Sequence, residues 1–118
     1  MSNLAMVQNA YEAFGRGDIE RVVAALDPEI EWIEGNIEGL PYAGAHHGAQ
    51  AVVDEVFAQI PGTYDAFELV PTEWVDGGDI VVMLGQVTTR KDDREATSRV
   101  AQVWTFRDGR VGGRGRRS

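Results

Sequence analysis

Residues 98–109 read Ser98-Arg99-Val100-Ala101-Gln102-Val103-Trp104-Thr105-Phe106-Arg107-Asp108-Gly109. Val100, Gln102, Trp104 and Phe106 share one parity, and Arg99, Ala101, Val103, Thr105 and Arg107 the other. That is the period-two pattern of a strand with two unlike faces. Asp-Gly at its end is a hairpin signal. Moving backwards, Lys91-Asp92-Asp93-Arg94 turns this strand onto Ile80–Arg90. Asp76-Gly77-Gly78-Asp79 turns that one onto a strand over about 65–75. Three consecutive strands joined by tight turns make an antiparallel meander.

Upstream the period changes. Leu4, Val7, Tyr11 and Phe14 recur at helical spacing over about 3–15, closed by Gly15-Arg16-Gly17, where glycine supplies a left-handed cap. Asp18 is an N-cap for a second helix with Ile19, Val22, Val23 and Leu26 on its stripe, expected to end at Pro28. Residues 29–35 alternate again, with Ile30, Trp32 and Glu34 on one face. Gly39, Pro41, Gly44 and Gly48 make 36–48 a loop. Val52, Val53, Val56, Phe57 and Ile60 mark a third helix over about 49–60, stopped by Pro61-Gly62. Helices segregated from an antiparallel sheet define an α+β domain. Its last strand is expected to be a stub or disordered. Beyond Val111 the chain is Gly112-Gly113-Arg114-Gly115-Arg116-Arg117-Ser118, a composition ill suited to a buried strand. The expected division is a domain over 1–111 and a Gly/Arg tail over 112–118.

The 118 residues suit one domain. Cysteine is absent, which excludes disulfides and thiolate chemistry. No window approaches the roughly 18 apolar residues of a membrane span, and no signal peptide is evident at the start; a cytoplasmic protein is the expectation. The net charge of −8 argues against a nucleic-acid partner. It is unevenly spread: 15 acids and 2 bases precede residue 80, and 4 acids and 9 bases follow. The C-terminal arginines read as a solvated tail or as an anion- or RNA-binding one.

Candidate chemistry sits where polar residues share apolar faces. Glu34 lies on the face of Ile30 and Trp32. An acid on such a face is a candidate general base or acid; the competing reading is a rim acid in water. Gln102, among Val100, Trp104 and Phe106, either donates to a ligand carbonyl or oxyanion or makes a structural hydrogen bond. His46 and His47 precede the third helix; one imidazole at a pocket mouth competes with plain loop exposure, and their adjacency does not suit a metal. Trp32, Tyr11, Phe14, Tyr42, Phe57 and Trp104 are core or pocket lining. No dinucleotide-type glycine loop and no Gly-x-Ser-x-Gly elbow is present.

Val7-Gln8-Asn9-Ala10-Tyr11-Glu12-Ala13-Phe14-Gly15-Arg16-Gly17-Asp18, then Leu26-Asp27-Pro28-Glu29-Ile30-Glu31-Trp32, Tyr42-Ala43-Gly44 before His47-Gly48, and Gln102 to Val111 together resemble SnoaL-like, ketosteroid-isomerase-like proteins. The resemblance spans about residues 4–111. It implies a nuclear transport factor 2-like (cystatin-like) cone of curved sheet with three helices, a homodimer formed through the convex sheet, and no cofactor, since proton transfer needs none. It places Glu34 where the isomerases carry their carboxylate base, and Gln102 where they carry a protonated acid that binds the oxyanion. Where they have an oxyanion-binding tyrosine this chain has Ala10, with Tyr11 one step around the helix. The implied function is an isomerase, cyclase or dehydratase acting on a small apolar carbonyl compound, polyketide- or steroid-like. The alternative is a non-catalytic ligand-binding or dimerisation module of the same fold.

Overall fold

A computed structural model describes residues 2–34, 43–107 and 110–117. Helix α1 (Asn3–Gly15) begins at Ser2, whose hydroxyl accepts from the Ala5 N–H at 3.1 Å. It closes through Gly17 at φ 77°, a conformation glycine adopts without steric cost. Asp18 caps α2 (Ile19–Ala24) by accepting from the Arg21 N–H at 3.3 Å. That helix ends four residues before Pro28, earlier than expected. Pro28 lies inside strand β1 (Leu26–Glu34), where the pairing register slips between Leu26 and Glu31. A residue with no N–H cannot extend the ladder there.

Strand β2 (Gly44–His47) pairs antiparallel with β1, His46 opposite Trp32. This segment was expected to be loop: a four-residue strand is too short for alternation to show. Positive φ at Gly44 and Gly48 brackets it. The expected third helix is broken into α3 (Ala49–Glu55), a 3₁₀ turn (Phe57–Gln59) and the single turn α4 (Ile60–Thr63). Pro61 stands in the first turn of α4, where its missing N–H costs nothing, so it opens the last turn rather than ending the helix.

Strands β3 (Ala66–Asp76), β4 (Ile80–Lys91) and β5 (Arg94–Arg107) form the meander. The bulge in β3 falls between Pro71 and Glu73, on a sheet edge, where a missing donor is tolerated. The tail expected to be a stub is strand β6 (Arg110–Arg117). It lies inside the sheet, whose order is β2-β1-β6-β5-β4-β3, antiparallel to β5 and parallel to β1. A ladder is made by backbone groups, which glycine and arginine carry like any other residue; the cost is the lost entropy of each glycine, about 0.5–1 kcal/mol. Arg107 pairs with Arg110 across Asp108-Gly109, which lie outside the described residues.

The helices pack on one face of this sheet. Val7, Val52 and Val56 meet Leu26, Ile30, Trp32, Val81 and Trp104 in the main core, and Met83, Val87 and Val100 extend it. On the other face Val70, Val75 and Ile80 are 43–50% exposed. Among the described residues no helix is long and apolar enough to cross a membrane.

Candidate functional site

Between the helices and the sheet lies a cavity of about 60 Å³, enough for roughly four water-sized groups. Alternation on β1 and β5 sets its polar floor. In β1, Ile30, Trp32 and Glu34 turn inward while Glu31 and Ile33 face out; in β5, Val100, Gln102 and Trp104 turn inward. Helix α1 brings Ala10, Tyr11 and Phe14 over the top, and the broken helix brings Val56, Phe57 and Ile60 to the side. Glu34 is 5% exposed and Gln102 4%, and both line the cavity. The rim reading of Glu34 therefore does not hold.

Glu34 is held by an indole and Gln102 by a phenol that is itself held by one. Trp32 Nε1–H donates to Glu34 Oε1 at 2.8 Å. Trp104 Nε1–H donates to the Tyr11 hydroxyl oxygen at 2.8 Å, and that hydroxyl donates to Gln102 Oε1. The rings brace one another edge to face: Trp32 and Trp104 at 5.6 Å and 88°, Tyr11 and Trp104 at 5.6 Å, Trp32 and Phe57 at 5.5 Å. Such pairs contribute about 0.5–1.5 kcal/mol each beyond burial.

Trp32, Tyr11, Phe14, Phe57, Trp104, Glu34 and Gln102 all line the cavity. The two histidines do not. His46 is buried, but its Nδ1 sits 2.9 Å from Glu55 Oε1, tying β2 to the end of α3. His47 is exposed, with Nε2 3.1 Å from Glu29 Oε2. Neither lines the cavity, because β2 lies beyond β1 at the sheet edge. Tyr42 lies outside the described residues. Phe67, Leu69 and Val87 also line the cavity and were missed as site residues. Their alternation in β3 and β4 marks them as inward, but places them at no particular depth. Among the described residues no three His, Asp or Glu side chains gather as a metal site.

A family model described as a SnoaL-like domain matches residues 7–112. No curated protein matches. Among solved structures, a nuclear transport factor 2-like protein of unknown function from Burkholderia pseudomallei is 30% identical, with a TM-score of 0.90 over 99% of this chain and 91% of its own. TerC, co-crystallised with polyporic acid, is 26% identical, with a TM-score of 0.87 over 98% of this chain and 89% of its own. A protein from Sinorhizobium meliloti named as a polyketide cyclase shares the fold at 19% identity, with a TM-score of 0.73 over 96% and 94% of the two chains.

Proposed function

The chain belongs to the SnoaL-like domain family, and from that premise we propose that it is a cofactor-independent acid/base enzyme acting on a small apolar carbonyl compound. The observation that carries this reading is one carboxyl group and one carboxamide, both buried, lining a single apolar cavity. Glu34 takes a proton from the carbon α to the carbonyl. The C–H electron pair becomes the C=C bond of an enolate, and the negative charge settles on oxygen, where the Gln102 amide stabilises it. Three outcomes share that first step. Return of the proton to another carbon is isomerisation, loss of a β-hydroxyl is dehydration, and attack on a second carbonyl is ring closure. The cavity size favours a compound whose reactive end is a single ring, the rest extending outward. That TerC was co-crystallised with polyporic acid supports a small organic compound as the ligand.

The test needs no identified substrate. Deuterium uptake α to the carbonyl of cyclic ketones and enones in D₂O reports enolisation. The wild-type chain is expected to accelerate it. Glu34→Gln should lower the rate by about 10²–10⁴, and Gln102→Ala by about 10²–10³. If ketones bind without faster exchange, or Glu34→Gln exchanges as fast as wild type, the base assignment fails.

The second reading is a pocket that binds without turning over. Ala10 favours it, since it lines the cavity where the resembling isomerases carry a hydroxyl. Saturable binding of polyporic acid with no exchange activity would support it. In either reading we propose a homodimer formed through the outer sheet face carrying Val70, Val75 and Ile80.

A further inference from the structure

Gln102 sits in a buried site with only part of its hydrogen-bonding capacity used. Its oxygen accepts from Tyr11. Among the described residues no group hydrogen-bonds its Nε2, although the residue is 4% exposed and lines the cavity. A buried amide nitrogen with two N–H donors and no acceptor is unusual, because such groups are nearly always paired. The question is what keeps the amide in that orientation when a half-turn about its last bond would exchange oxygen and nitrogen.

Proton counting answers it. The indole N–H of Trp104 can only donate, and it donates to the Tyr11 oxygen. One lone pair of the hydroxyl is therefore occupied, and its own proton is sent to an acceptor, Gln102 Oε1. Turning the amide over would aim two donors, Trp104 and Gln102, at one hydroxyl oxygen and break the bond by which Tyr11 donates to Gln102. The relay Trp104 to Tyr11 to Gln102 thus has a direction, set by the one member that cannot reverse.

We propose that Tyr11 and Trp104 are positioning residues that hold the Gln102 carboxamide with both N–H donors toward the cavity, so that the site selects ligands presenting a hydrogen-bond acceptor, a carbonyl or ether oxygen, at that point. Neither residue needs to touch the reacting atoms to do this. Tyr11 spends its proton on Gln102, so it acts through the amide rather than as a donor to the ligand. The inference rests on the reading of this cavity as the ligand site, and it adds what the cavity discriminates and which side chains set the discrimination. It also accounts for a tyrosine at position 11 where a phenylalanine would make the same edge contacts with Trp74 and Trp104.

Two measurements test it. Neutron diffraction from deuterium-exchanged wild-type crystals locates the protons directly. The expected result is the Tyr11 deuteron on the line to Gln102 Oε1 and the two Nε2 deuterons facing the cavity; Nε2 deuterons facing Tyr11 overturn the inference. The second measurement compares dissociation constants of cyclohexanone and methylenecyclohexane, alike in ring size and differing in the acceptor. Tyr11→Phe frees the amide to turn. It should reduce the ketone-over-alkene preference by about tenfold, the worth of one hydrogen bond in a dry site, while the alkene binds as before. An unchanged preference in a variant that binds the alkene normally also overturns the inference. If Tyr11→Phe fails to fold, the neutron result on wild type still decides. Absence of α-proton exchange counts against the proposed catalysis alone, because it moves neither the deuteron positions nor the ketone preference.

Discussion

Glu34 shows how one side chain can be placed in the dark without being left alone. A buried carboxyl is costly unless hydrogen-bonded; here the partner comes from Trp32, two positions earlier on the same strand face. Strand parity itself delivers donor and acceptor to one side, so no distant element has to arrive for the contact to form. Gln102 is different, because its partner Tyr11 is brought from α1, 91 residues away in sequence. At the same scale, Gly85 is an inward position on β4 that no other residue fits. A Cβ there would lie 2.5 Å from the Val70 carbonyl oxygen, 2.8 Å from Met83 Sδ and 3.1 Å from the Pro71 Cα. The sulfur can swing away, but the β3 backbone cannot. Gly85→Ala should therefore destabilise the chain by about 1–3 kcal/mol, read as a lower urea midpoint with little change in slope. An unchanged midpoint would mean that the β3 bulge relaxes at no cost.

Among the elements, β6 carries the greatest structural consequence relative to its composition. It pairs with β5 on one side and β1 on the other, so it joins the meander to the strand bearing Trp32 and Glu34. Its removal would expose two rows of unpaired N–H and C=O groups and separate the two polar groups of the site. A chain ending at Arg107 is expected to lose cooperative unfolding and the dispersed amide spectrum of a packed domain. A truncated chain that unfolds cooperatively would show that β1 and β5 can pair without β6. Side-chain patterning missed this strand because patterning records only which residues prefer a sheet, whereas the ladder on both flanks is a backbone property. The opposite error occurred at α3. Val52, Val53, Val56, Phe57 and Ile60 fit one helix, but the chain breaks at Val56 and restarts at Ile60, which delivers Val56, Phe57 and Ile60 to the cavity wall.

For the molecule as a whole, the sheet has one covered face and one open one. Val70, Val75 and Ile80 alternate with the inward Leu69, Trp74 and Val81, so they share the open side. A second copy meeting this face would cover them. Light scattering on the purified chain is expected to give twice the 12.9 kDa monomer mass, and Val75→Asp combined with Ile80→Asp should give the monomer with an unchanged circular dichroism spectrum. A monomeric wild type would refute that arrangement. The α+β class, the meander and the faces that Glu34 shares with Trp32 and Gln102 with Trp104 were all legible in the sequence, since they follow from periods of two and 3.6 residues that each segment carries alone. The β6 ladder, the edge position that removes His46 and His47 from the site, and the Trp104–Tyr11–Gln102 relay were not. Each depends on which distant segments become neighbours, and that is settled by packing the helices and strands around one core, not by the preferences of any single stretch.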